Sequence, residues 1–241
     1  KTEKEIIGFP PTILGTSYTI KSFVRIFSNI PFGIYIKNTV IFAGATTLLA
    51  VTFDSMAGYA FARLNFKGKN AIFIFILLTM MVPFQVMMIP LFLESNYLGI
   101  LNTYQGLILP KATTAFGIFM MRSYFAALPK DLEEAARVDG LSEWGIYWKI
   151  MLPLVKPGIM TLAIFHLMTN WNDLLYPLMM TSTSKMRTLA SGLALFVGEH
   201  ATTYYGPQLA GAFISILPLF VLYAFFQKYF IASAATSGMK D

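Results

Sequence analysis

Cysteine is absent from this chain of 241 residues, and there are only two histidines. Disulfides, thiolate nucleophiles and cysteine-based metal centres are therefore excluded, and two histidines alone make a poor metal site. Charge is scarce too: acidic and basic residues together are 12% of the chain, against 56% hydrophobic ones. No Gly-x-x-x-x-Gly-Lys-Ser/Thr run occurs, so the chain has no phosphate-cradling loop with which to bind and split ATP in the usual manner. No nucleophile and base stand at a telling spacing, which argues against catalysis. Lys1 to Ile7 lacks the apolar core of a signal peptide.

What is abundant is apolar length, including 22 Phe and 14 Met. A hydrocarbon core of roughly 30 Å needs about 20 mostly apolar residues per helix. Five stretches meet that need: 38–62, 70–93, 105–125, 158–181 and 209–227. The fold class expected is an all-α membrane protein, a polytopic helical bundle with five spans in this chain. Lys111 and Arg122 sit near the ends of the third stretch, where long side chains can snorkel to the interface. Pro83 and Pro90 flank Gln85 in the second, so that helix is expected to end or kink there.

The net charge of +6 comes from basic residues scattered at span ends, a pattern of membrane anchoring and not of a nucleic-acid surface. The short loop 63–69 holds Arg63, Lys67 and Lys69, which makes it cytoplasmic by the positive-inside rule. Basic residues in the N-terminal stretch pull the other way. The loop assignment puts 1–37 outside as an N-terminal segment, 38–230 as the transmembrane domain, and 231–241 inside as a tail. A segment within 182–207, Thr188 to Phe196, is too short to span and amphipathic enough to lie at the surface.

Between the third and fourth stretches lies a polar insertion. Asp131 and Glu134 have the spacing of a capping box, which predicts a helix from about Leu132. Gly140 follows Asp139 where a helix must turn off through a left-handed residue, and Ser142 offers a second N-cap before Trp144 to Met151. Leu152-Pro153 and Pro157-Gly158 are expected to stop the hairpin, since proline cannot continue a helix without losing a backbone bond. Residues 130–149 hold three basic and five acidic side chains, net −2, which repels both phosphate backbones and anionic lipid.

Glu134-Ala135-Ala136, then Gly140, then Ile150-Met151-Leu152-Pro153 resembles the EAA loop of binding-protein-dependent ABC importer permeases, at matching spacing throughout. Met81 to Pro90, Trp171 to Pro177 and Gln227 to Phe230 are similar to the carbohydrate-uptake branch, in the manner of the maltose-type second permease. The resemblance implies the type I importer permease fold and a multi-pass place in the bacterial inner membrane. It implies a coupling hairpin at 131–157, in which Glu134, Ala135, Ala136, Asp139, Gly140, Leu152 and Pro153 seat an ATPase dimer. The chain itself would be non-catalytic, with no cofactor; ATP and magnesium would belong to the partner. A second homologous permease and an external substrate-binding protein are the other partners implied, with the Ser182–Pro207 side facing the binding protein. Such permeases have six spans, the first preceding a segment like Ile7-Gly8-Phe9-Pro10-Pro11-Thr12, so the resemblance also implies that the first is missing here.

Asp54, His166 and Asp173 fall within apolar stretches, where an ionisable group is costly and tends to face protein or water. Asn170, Trp171, Asn172 and Tyr176 surround Asp173 in sequence, a mixture suited to sugar hydroxyls and ring faces. Two readings stand side by side there: a substrate path, or hydrogen-bonded glue between helices. His166 reads as a hydrogen-bonded packing residue, and Asp54 as a gate or a cap. No intramembrane Arg or Lys cluster favours an anionic cargo. A rival of another class is a proton-coupled secondary transporter using Asp54, His166 and Asp173. Gly44, Gly58, Gly117, Gly158 and Gly211 mark places for close helix approach.

Overall fold

The computed structural model describes residues 1–10, 13–200 and 205–237; side chains 4, 29, 197–200, 222, 223 and 225–237 lie outside the description. Among the described residues the regular structure is helical throughout. In chain order the helices are α1 (Glu3–Ile6), α2 (Lys21–Asn29), α3 (Phe32–Arg63), α4 (Lys69–Thr79), α5 (Phe84–Tyr97), α6 (Tyr104–Ile108) and α7 (Ala115–Ala126). There follow α8 (Asp131–Val138), α9 (Glu143–Ile146), α10 (Leu152–Leu154), α11 (Lys156–Trp171), α12 (Leu175–Met180), α13 (Leu189–His200) and α14 (Tyr205–Ser237). A 3-10 turn, Leu109–Lys111, follows α6, and a π-helical turn, Tyr147–Met151, joins α9 to α10.

Only α3, at 32 residues, is by itself long and apolar enough to cross a membrane among the described residues. Three of the other expected spans are interrupted, and proline explains where, whereas 209–227 lies within the continuous α14, which runs through Pro218. A proline ring collides with the carbonyl four residues back and offers no N–H to it. Pro83 thus ends α4 at Thr79, and α4 and α5 meet at 101°, whereas Pro90 sits inside α5. Pro177 faces the break at 172–174 between α11 and α12. The 105–125 stretch is not one helix: Pro110 opens the 3-10 turn, and the chain stays extended at Thr114 before α7 begins.

The chain divides into two compact units. The first holds Lys1–Gly44, Phe92–Leu107 and Met168–Phe225. The stretch 1–37, expected as a separate segment, belongs to it: the Glu3 carboxylate accepts from Gly206 N–H at 3.2 Å, and Ile26 of α2 is fully buried. The α13 stretch is likewise no surface helix in its described part. Leu189 and Phe196 are buried, Leu189 N–H donates to Thr39 Oγ1 at 2.7 Å, and Gly192 lies flat against the Tyr35 ring. Asn38 stitches this unit together, donating to the carbonyls of Lys185 and Arg187, both at 2.9 Å, and accepting from the Tyr104 hydroxyl at 2.7 Å.

The second unit holds Ala45–Leu91, Ile108–Leu167 and Phe226–Asp241. Its core gathers Tyr59, Met121, Phe125, Ala136, Ile146, Tyr147, Met151, Val155 and Leu162. Gly58 admits α7 so closely that an added Cβ would lie 2.6 Å from Met121 Cβ, and Gly158 is pressed on the Tyr124 ring. Gly117 and Gly211 are as tight, while Gly44 has nothing within 4 Å and needs no such account. Arg122 is held within the protein: its Nε donates to Phe61 O at 3.3 Å and its guanidinium covers the Phe73 ring at 4.3 Å, a cation–π contact joining α7 to α4. The expected tail 231–241 continues α14 as far as Ser237, and 238–241 lie outside the described residues.

Candidate functional site

The polar insertion folds as a hairpin on the second unit's core. Helix α8 starts one residue earlier than the capping-box spacing predicts, at Asp131, with Lys130 at the cap position and no side-chain cap bond. Asp131 is itself the first helical residue, so it does not take the extended conformation that a capping residue requires. The far end behaves as expected. Gly140 sits at φ +81; its N–H donates to Arg137 O and that of Leu141 donates to Ala136 O, both at 3.0 Å, the paired bonds of a Schellman turn. Ser142 then caps α9, its hydroxyl accepting from Gly145 N–H at 3.3 Å.

Pro153 does not stop the second arm. The helix widens to a π turn over Tyr147–Met151, passes through Pro153, and ends at Val155 before α11 departs at 79°. Widening relieves the collision that Pro153 would make with the carbonyl of Lys149 in a regular helix.

The predicted coupling residues separate into two sets. Glu134, Ala135, Asp139, Gly140 and Pro153 are exposed, whereas Ala136 is buried in the core and Leu152 is packed against it. Sequence reasoning missed the groups that hold the hairpin in place. Glu133, adjacent to the predicted Glu134, is 4% exposed and lies 3.4 Å from Arg63 at the end of α3. Arg63 also donates to the carbonyls of Phe125 and Leu128, so one guanidinium ties α3, α7 and α8. Burial pushes the Glu133 carboxyl above its usual range, against the pull of Arg63 and Arg137.

Arg137 bridges to the second arm, donating from Nε to Glu143 Oε1 at 2.8 Å. That hydrogen bond holds Glu143 below its usual range. Tyr59 of α3 donates to the other Glu143 oxygen at 3.2 Å, and Ser55 and Tyr147 share a hydrogen bond of 2.8 Å. The hairpin is thus tied to α3, with Asp131, Glu134 and Asp139 exposed on its outer side.

Asp54 and His166 are brought together, from positions 112 residues apart. Asp54 is fully buried. One carboxylate oxygen accepts from Thr113 Oγ1 at 2.6 Å and Thr114 N–H at 2.9 Å; the other accepts from Thr114 Oγ1 at 2.9 Å and lies 3.3 Å from His166 Nε2. A Cβ at Gly117 would run into this carboxylate. The cluster satisfies the backbone of the gap before α7, so Asp54 caps across the fold and His166 packs against it. Asp173 belongs to the first unit, where its Oδ1 accepts from Tyr176 N–H at 3.3 Å at the start of α12.

The candidate substrate residues also divide. Trp171 is 7% exposed and donates from Nε1 to Ser215 O at 3.1 Å. Tyr176 is buried, bonded to Gly106 O and stacked on Phe42 with ring centroids 6.2 Å apart. Asn170 is buried as well. Asn172 is exposed and Asp173 half-buried, so these two alone of the five present polar groups outward.

The family described as binding-protein-dependent transport system inner membrane component matches residues 54–233. The arabinooligosaccharides transport system permease protein AraQ of Halalkalibacterium halodurans is 38% identical over 235 residues, covering 96% of this chain and 82% of that protein. The trehalose/maltose transport system permease protein MalG of Thermococcus litoralis is 35% identical over 239 residues, covering 95% and 86%. Among solved structures, a bacterial ABC transporter involved in the import of the acidic polysaccharide alginate superposes with a TM-score of 0.78 at 27% identity, covering 90% of this chain and 81% of that one. On these grounds the chain belongs to the binding-protein-dependent transport system inner membrane component family, among its carbohydrate ABC importer permeases.

Proposed function

We propose that this permease moves a sugar or oligosaccharide inward by alternating access, driven by a separate ATPase seated on the hairpin 131–154. The observation that carries this reading is the division of the hairpin into a buried, tied side and an exposed acidic side. Glu133 and Ala136 fasten it to α3 and the core, while Glu134, Ala135 and Asp139 face outward beside the Gly140 turn. A load applied at the outer face reaches α3 and α7 through Arg63 without bending α8, which suits rigid-body transmission. Glu134 offers a carboxylate for a partner guanidinium, and Ala135 permits close backbone approach. ATP and its magnesium ion are the partner's.

The cargo reading is supported by relatives whose names specify arabinooligosaccharides and trehalose or maltose. Asn172 and Asp173 are the residues we assign to the substrate path, with Trp171 and Tyr176 holding the α11–α12 break in shape. A second permease of the same kind completes the path, and a substrate-binding protein delivers the cargo from outside.

The absence of native cysteine makes the test direct. Ala135→Cys in the assembled transporter is expected to cross-link to the ATPase subunit at a rate that changes when ATP is added. A thiol at that position that reacts freely with small reagents yet never reaches the ATPase would overturn the seat.

A further inference from the structure

Asp54 is a fully buried carboxylate that neither the hairpin seat nor the substrate path uses. Such burial is costly unless hydrogen bonds satisfy the group, and the donors arrive from two other parts of the second unit: Thr113 and Thr114 where α7 begins, and His166 on α11. A carboxylate only accepts, so the imidazole donates from Nε2. Gly117 lets α7 close on this group, since a Cβ there would collide with the Asp54 carboxylate.

The three helices that meet at Asp54 are the ones that carry the hairpin. Helix α7 leads into it, α11 leads out of it, and α3 holds it through Arg63. Arg63 lies nine residues beyond Asp54 on α3, about 14 Å along the axis. Phe125, whose carbonyl accepts from Arg63, is eleven residues beyond Thr114, and Lys156, where α11 starts, is ten before His166; both separations come to about 15–17 Å of helix. The frame is therefore tied twice. One tie is beside the hairpin, made by Arg63 and by Gly158 against the Tyr124 ring; the other is at Asp54, about half the thickness of a hydrocarbon core away.

We infer that Asp54 is a positioning residue for transport, locking α3, α7 and α11 through Thr114 and His166 into one lever that turns as a body when the hairpin is pushed. A single tie beside the hairpin would let the three helices splay; a second, deeper one makes their displacement common. His166 is the penultimate residue of α11 in the second unit, so the lock grips that helix at the far end of its stretch there. The inference rests on the ATPase reading above.

The test is sugar moved per ATP split, measured on the assembled transporter in proteoliposomes. His166→Phe keeps a planar ring and removes the donor, and is expected to lower that ratio about three- to tenfold with the ATPase still attached. His166→Gln, whose side-chain amide again offers a donor, is expected to restore most of it. A role in ring packing alone gives the reverse order, because Phe fills the place of the imidazole better than Gln does. A native ratio in His166→Phe, or a ratio in His166→Gln no better than in His166→Phe, would overturn the proposal. Should His166→Phe not assemble, amide hydrogen exchange over 113–117 in the wild-type transporter decides. Equal protection of Thr114 and Gly117 with and without ATP and vanadate supports a lock that stays closed through the cycle, and loss of protection in either state refutes it. Failure of the ATPase reading shows separately, as an Ala135→Cys variant with Asp54 and His166 native that never cross-links to the ATPase.

Discussion

Glu133 and Glu134 are neighbours of one chemical kind with opposite fates, and only the fold tells them apart. The spacing of the motif singles out Glu134, but nothing in the sequence says that Arg63, seventy residues earlier, will meet the residue before it. A longer separation, 112 residues, hid the link between Asp54 and His166, which made the histidine look alone. Removing one partner of a buried pair leaves an uncompensated charge and costs about 3–5 kcal/mol. Arg63→Ala is accordingly expected to destabilise the hairpin by that order, read as faster amide hydrogen exchange over 131–154, and Arg63→Ala with Glu133→Gln is expected to recover part of it.

The two carboxyl groups of the hairpin respond to acid in opposite directions. Glu143 is held below the usual carboxylate value of about 4.3, so its contribution is complete above that value and disappears as the pH falls through its lowered one. Glu133 is raised by burial, so its contribution is greatest below the usual value and fades as the pH rises through its raised one. The Arg137–Glu143 pair is exposed enough to be worth only about 0.2–1 kcal/mol. Glu143→Gln is expected to show weakened exchange protection around Gly140 already at neutral pH, with a smaller further loss on acidification than the native chain. Identical acid profiles would remove Glu143 from the account.

At the scale of elements, apolar length was legible and continuity was not. The stretches 70–93 and 158–181 are helical for most of their length, yet each is broken four residues before a proline. Pro83 was readable as a break; before Pro177 a gap opens, where Asp173 accepts from the Tyr176 amide at the start of a new helix. The break within 105–125 had a visible sign in Pro110, but its stabilising partner, Asp54, lies on another helix. The hairpin turn was legible because only glycine enters the left-handed region cheaply. Gly140→Ala is expected to cost about 1 kcal/mol, seen as a lowered unfolding midpoint. Ala136→Leu, which overpacks the core beneath α8, should cost about 1–3 kcal/mol, whereas Ala135→Leu, on the exposed face, should leave stability nearly unchanged and weaken ATPase retention.

At the scale of the molecule, five of the motif's coupling residues are exposed while Ala136 is buried, and of the five residues expected along a substrate path only Asn172 and Asp173 escape burial. The other three serve the interior of the first unit, because an aromatic or amide side chain in an apolar stretch satisfies helix contacts as readily as it meets sugar. Asn172→Ala and Asp173→Asn are expected to raise the half-saturating sugar concentration for uptake while leaving transporter assembly intact. Trp171→Phe, which keeps the ring and loses the bond to Ser215 O, is expected to lower stability first. Should Trp171→Phe alone alter uptake affinity, the path runs through the indole.

The central claim is that force enters through the outer acidic face of the hairpin. Its most direct measurement is sugar uptake and ATP hydrolysis, taken together, in proteoliposomes holding the assembled transporter with Glu134→Arg, a reversal at an exposed position that leaves Arg63, Glu133 and the core untouched. The account predicts at least a tenfold fall in sugar moved per ATP split, or loss of the ATPase from the complex. Uptake and hydrolysis both at native levels, with the ATPase still bound, would contradict it.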